Sequence, residues 1–188
     1  MNKKLEYHME TMTKTKWAID PLHSEVQFKV KHLVISTVTG SFKKFDARVE
    51  MEGDDLTTAD IYFEADVDSI ETGQADRDGH LKSDDFFNAG AFPKITYQSS
   101  QITAQGEGKY TVQGIMTIRD NSLPVELKVQ HGGTITDAYG RTVAGYEIEG
   151  KLSRKAYGLS WNNLTEAGGV IVGDEIRLIV NAELVKEG

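Results

Sequence analysis

The chain of 188 residues fits one domain, of a size common among barrels and sandwiches. Its net charge of −8, with no basic patch to offset it, argues against nucleic acid as a partner. The absence of cysteine excludes disulfides, thiolate zinc sites and thiol nucleophiles.

Residues 1–15 come first in chain order. Lys3 and Lys4 resemble the charged start of a signal peptide, but Glu6, His8, Glu10, Lys14 and Lys16 interrupt any apolar run behind them. The segment reads as a disordered or artificially added tail, which leaves 16–188 as the folded domain. No apolar run approaches the roughly 20 residues of a membrane span. The expected location is the cytoplasm for the chain as given, or the periplasm if a signal peptide has been removed.

Period-two alternation then recurs along the chain. Val26, Phe28, Val30 and His32 share one face, against Gln27, Lys29 and Lys31. Phe45, Ala47, Val49 and Met51 form a second set. Ile61, Phe63, Ala65 and Val67 form a third, opposed by Tyr62, Glu64, Asp66 and Asp68, which read as a solvated outer face.

Residues 74–91 break the alternation. Arg77-Asp78-Gly79-His80-Leu81-Lys82-Ser83-Asp84-Asp85-Phe86-Phe87 concentrates charge, a histidine and a Phe pair, and Phe92-Pro93 closes it. Short helical turns capped by Asp78 or Ser83 are expected here, with His80, Asp84 and Phe87 on one side.

The alternation resumes at Ile95 and Tyr97. Tyr110, Val112, Met116 and Ile118 follow, then Val125, Leu127 and Val129, then Tyr146, Ile148 and Leu152. Ile176, Leu178, Val180, Ala182 and Leu184 make the eighth set. Turn signals separate the sets at Gly53-Asp54-Asp55, Gly106-Glu107-Gly108, Asp120-Asn121-Ser122, Gly132-Gly133 and Asp137-Ala138-Tyr139-Gly140. The spacing suits hairpins, so the pattern predicts an all-β fold of about eight antiparallel strands. A strand count alone leaves barrel and two-sheet sandwich both open.

Several blocks together resemble a known family. They are Trp17-Ala18-Ile19-Asp20-Pro21-Leu22-His23-Ser24, Phe28-Lys29-Val30-Lys31-His32-Leu33, Gly40-Ser41-Phe42, Ser69-Ile70-Glu71-Thr72, the Arg77–Phe87 segment and Val172-Gly173-Asp174-Glu175-Ile176. In this order they resemble the YceI-like family, polyisoprenoid-binding proteins with a lipocalin-like barrel. The resemblance runs from Trp17 to about Leu184. It implies an antiparallel eight-stranded barrel that takes a long amphiphile into its interior, and it implies a homodimer. The stretch Thr117-Ile118-Arg119-Asp120-Asn121-Ser122-Leu123-Pro124 departs from the family, which usually has a glycine in that turn.

The candidate residues each carry two readings. His32 is a core histidine or a polar contact for a ligand head. Arg77 offers a fork for phosphate beside His80, or ties the insert to the barrel together with Asp78. Phe86 and Phe87 plug one barrel end and touch a ligand tail. Trp161 is a mouth aromatic or a surface anchor, and His23 is a turn residue. His32 and His80 with Asp78 or Asp84 make a weak acid–base set, and no zinc motif or nucleophile elbow accompanies them. No catalytic residue, metal or cofactor is therefore assigned, and the protein reads as no enzyme. The leading expectation is binding, storage or transport of a polyisoprenoid, its phosphate or a fatty amide. The tail would lie along Phe28, Val30, Phe63, Tyr97, Val112 and Met116. The alternatives are a solid-cored barrel acting through protein–protein contacts, or a lipid-modifying enzyme.

Overall fold

Strands dominate the computed structural model, which describes residues 13–163, 169 and 171–188. They are β1 (Lys14–Ile19), β2 (Glu25–His32), β3 (Ser36–Phe42), β4 (Phe45–Glu52), β5 (Asp55–Asp66), β6 (Ile70–Glu71), β7 (Lys94–Gly106), β8 (Lys109–Ile118), β9 (Asn121–Thr136), β10 (Thr142–Ser153) and β11 (Val172–Lys186). The helix α1 (Ala75–Lys82) lies between β6 and β7. The first strand begins at Lys14, inside the segment read as a tail, while residues 1–12 lie outside the described residues.

All strand pairings are antiparallel, and they close a ring of eight: β1, β4, β5, β7, β8, β9, β10 and β11, which returns to β1. The registers show that some segments are halves of one bent strand. β11 pairs with β2 from Val172 to Asn181 and with β1 from Leu184 to Lys186, so β1 and β2 share one edge. β3 and β4 run opposite them, from His32↔Ser36 to Lys14↔Glu52. β6 extends β5 in the same way, with Phe42↔Ile70 following Phe45↔Ala65. The result is an up-and-down barrel whose neighbours in sequence are neighbours in space.

The eight alternating sets therefore mark the barrel, but β1, β3 and β6 went unseen. β3 shows the cause: in Ser36-Thr37-Val38-Thr39-Gly40-Ser41-Phe42 only Val38 and Phe42 are large apolar residues, so no alternation stands out. Gly132-Gly133 is not a turn. β9 runs through it, and the register shifts by one residue at Gly145/Tyr146, which makes a bulge. Arg119 takes φ 56° in the β8–β9 turn, the left-handed position a glycine would fill most easily.

The insert is helical only from Ala75 to Lys82. Neither proposed N-cap acts as one: Gln74 holds that position without a side-chain bond, and Ser83 sits at the C-terminal end. Asp78 instead accepts from the Thr72 backbone N–H at 2.9 Å and from its hydroxyl at 2.5 Å. Asp84 lies beyond the helix, so it does not align with His80, which meets Asp85 at 2.8 Å. A helix this short gains little from its own hydrogen bonds and depends on such ties.

Two strand glycines let large rings lie flat on the wall. A Cβ on Gly40 would fall 2.2 Å from the Phe28 ring, and one on Gly114 would fall 2.5 Å from both the Gln98 carbonyl and the Tyr97 ring. The Gln98 carbonyl belongs to the β7–β8 ladder and cannot retreat. Gly114→Ala is expected to lower stability by about 1–3 kcal/mol through overpacking. A urea midpoint equal to the parent's would contradict that reading of the contact.

Candidate ligand cavity

The inward faces of the ring do not meet. They enclose a cavity of about 230 Å³. Phe28, Val30, Phe63, Tyr97, Val112 and Met116 all line it, as the alternation predicted, and Phe86 and Phe87 close one end with Leu81. The closure is aromatic. Phe42 stands 5.7 Å from Phe28 and 6.2 Å from Phe87, ring to ring, and Phe86 is 5.4 Å from Trp161.

Four expected contacts are elsewhere. His32, at the end of β2, is half-buried and outside the lining. Arg77 donates to the Thr72 hydroxyl at 2.7 Å and to the Thr72 carbonyl at 2.8 Å, so its fork is spent on anchoring the insert. His80 packs edge-on against Phe86 and Trp161, at 5.1 and 4.7 Å, and its Nε2 faces Asp85. Trp161 is thus a rim aromatic that backs the plug without lining the cavity. Of the polar residues chosen as head-group contacts, Arg77 and His80 form the frame of the lid.

Two of the polar side chains in the lining, Tyr97 and Arg154, are already bonded to carbonyls. The Tyr97 hydroxyl faces the Val112 and Val125 carbonyls at 3.3 and 3.2 Å, and burial pushes its pKa well up. Burial also pushes Tyr146 up to about 12, and its ring stacks on His131 at 4.9 Å. Arg154, only 2% exposed, is the buried charge of the site. It donates to the carbonyls of Leu159 (2.6 Å), Trp161 (2.8 Å), Gly173 (2.8 Å) and Val172 (3.1 Å). Burial lowers its pKa from the usual arginine value, and the charge of Asp174 partly offsets that. Arg154 was missed, although parity pointed to it: it continues the inward series Tyr146, Ile148, Gly150, Leu152. Arg119 ties the same end together, donating to the Phe86 carbonyl at 3.2 Å while lying over the Phe92 ring.

A separate cluster, Asp20, His23 and Glu183, brings three potential metal-ligating atoms together. Its chemistry is that of a turn clamp. Asp20 accepts from the Leu22 N–H at 3.0 Å and meets the His23 ring at 3.1 Å. The Arg141 guanidinium, 3.8 Å from Asp20, already supplies a cation there. The shared hydrogen bond holds His23 above the usual imidazole value and Asp20 below the usual carboxylate value.

A family model for the YceI-like domain matches residues 17–184. The chain belongs to the YceI-like family. This YceI-like chain is 34% identical to a UPF0312 protein of Staphylococcus epidermidis over 170 residues, covering 90% of this chain and 96% of that one. Among solved structures, BcnA of Burkholderia cenocepacia superposes with a TM-score of 0.77 at 23% identity, covering 88% and 98% of the two chains. A Campylobacter jejuni YceI protein gives 0.72 at 26%, covering 85% and 91%. A domain from Saccharophagus degradans described as polyisoprenoid-binding gives 0.61 at 13%, covering 91% and 98%.

Of the four carbonyls around Arg154, that of Val172 also accepts from the Asn162 amide at 3.1 Å. Among the described residues the carbonyls of Leu159, Trp161 and Gly173 have no side-chain donor other than Arg154, so Arg154→Met should leave buried acceptors unpaired. The expected cost is roughly 3 kcal/mol or more, since each unpaired buried group costs about 1–3 kcal/mol. Thermal unfolding within a degree of the parent would contradict the role given to Arg154.

Proposed function

We propose that this protein binds a long-chain amphiphile, a polyisoprenoid, its phosphate or a fatty amide, and holds the tail inside the barrel for storage or transport. One observation carries the reading: an apolar cavity inside the barrel, in whose lining the Tyr97 hydroxyl and the Arg154 guanidinium are already bonded to carbonyls. Such a lining favours hydrocarbon. Each buried CH₂ contributes about 0.8 kcal/mol, so ten carbons supply several kcal/mol. That term has no direction and selects lipids as a class. The likeness in fold to a domain described as polyisoprenoid-binding supports the same class.

A solid-cored barrel acting through protein contacts fits less well, because the inward side chains leave space unfilled. A lipid-modifying enzyme would need a free acid, base or nucleophile facing the tail, and the lining supplies no support for one. The protein therefore reads as a binding protein.

Ala182 lies in the lining between Val180 and Leu184. Ala182→Phe should fill part of the space and weaken uptake of a fluorescent long-chain fatty acid at least tenfold, with the far-ultraviolet spectrum unchanged. Uptake equal to the parent's would place the ligand outside the barrel. A polyprenol and its monophosphate should bind within a few-fold of each other, since Arg77, His80 and His32 do not face the cavity.

A further inference from the structure

The hairpin between β2 and β3 ends in Leu33, Val34 and Ile35, held between the paired His32 and Ser36. These apolar side chains are 37%, 78% and 86% exposed. Leu33 and Val34 adopt φ of 51° and 65°. Asn and Gly take that backbone readily, and a β-branched valine does not. Three consecutive apolar residues are thus held in water on a strained turn, which points to a use other than stability.

The tip belongs to the plugged end. β2 finishes there, Val172 opens β11 opposite His32, and the Leu33 N–H donates to the Ile171 carbonyl at 2.9 Å. Arg154 holds the Val172 carbonyl of the same rim. Behind the tip, the outer wall carries Lys151, Arg177 and Lys29 in direct cross-strand register on β10, β11 and β2, with Lys31 two residues further along β2. Like charges facing each other across strands oppose pairing. Lys151 meets Glu175 at 3.3 Å, whereas among the described residues Lys29, Lys31 and Arg177 have no acidic partner. The fold thus assembles a basic patch that is scattered in the sequence of a chain with net charge −8.

We propose that the plugged end docks on the surface of an anionic lipid bilayer. Leu33, Val34 and Ile35 enter the interface, and Lys29, Lys31 and Arg177 meet lipid phosphates. An apolar prong flanked by cations is the chemistry of peripheral membrane contact. Two copies of this wall brought face to face would set cation against cation, which disfavours a second copy as occupant. The exposed Leu22 and Tyr139 make no comparable site, because their turns are built on Asp20 and Asp137. The outward strand positions Glu64, Glu126, Lys128 and Arg177 are charged, the reverse of a barrel that spans a bilayer, so contact is confined to the surface. Docking this way would set the Phe86–Phe87 lid against the source or destination of the cargo; that clause rests on the proposed function, and the docking itself does not.

Co-sedimentation of the whole protein with vesicles tests this. Binding is expected to vesicles of phosphatidylglycerol mixed with phosphatidylcholine, and to fall at least tenfold in high salt or in Val34→Asp/Ile35→Asp. Lys29→Glu/Lys31→Glu should abolish the preference for phosphatidylglycerol over pure phosphatidylcholine. Absence of binding to the anionic vesicles, or equal binding by Val34→Asp/Ile35→Asp, would overturn the proposal. So would a dimer in sedimentation velocity that the same tip variant dissolves, without vesicle binding, since the tip would then serve a second copy. Uptake of the fluorescent fatty acid in vesicle-free solution keeps the two readings apart. Its failure in the parent strikes the container, whereas failed vesicle binding with uptake intact strikes only the docking.

Discussion

Everything in this molecule depends on the closure made by β11. That strand pairs with β10 along one edge and with β2 and then β1 along the other. Closing eight strands into one ring sets a radius, and the radius sets how much side chain fits inside. The wall mixes rings such as Phe63 and Tyr97 with smaller residues such as Val112, Met116, Val180 and Ala182. They cover the wall without reaching across it. A cavity is therefore the consequence of closure with this choice of inward residues.

Closure also dictates where polar chemistry can go. A barrel has paired edges along its wall, so spare backbone carbonyls concentrate at its ends. At the plugged end these are the carbonyls of Leu159, Trp161, Val172 and Gly173, and a single buried guanidinium gathers them. Arg119 and Arg77 repeat the device on the Phe86 and Thr72 carbonyls. Arginine suits the task because its planar fork reaches several acceptors at once. These three arginines are thereby used for architecture, and the cavity behind them stays apolar.

The strands were legible because a barrel wall has a strict inside and outside. Phe28, Val30, Phe63, Tyr97, Val112 and Met116 keep one parity, and all six reach the cavity. The Phe86–Phe87 plug was legible because two adjacent aromatics in a polar insert need somewhere to be buried. Arg77 and His80 misled for a physical reason. Charge and imidazole in a conspicuous motif suit ligand binding and lid anchoring equally, and only the positions of Thr72, Asp85 and Trp161 decide between them. Arg154 obeyed the parity rule, yet an arginine on an inward face looks like an error until its four carbonyls are seen. The basic patch was invisible because Lys29, Lys151 and Arg177 meet only across strand registers.

The central claim is that the cavity holds an amphiphile tail. Native mass spectrometry of the purified protein, followed by solvent extraction and lipid identification, tests it most directly. A stoichiometric isoprenoid or other long-chain amphiphile released from the folded protein is the expected result. A ligand-free protein that also takes up no added polyprenyl lipid would contradict it, and the barrel would then have to act through its outer surface.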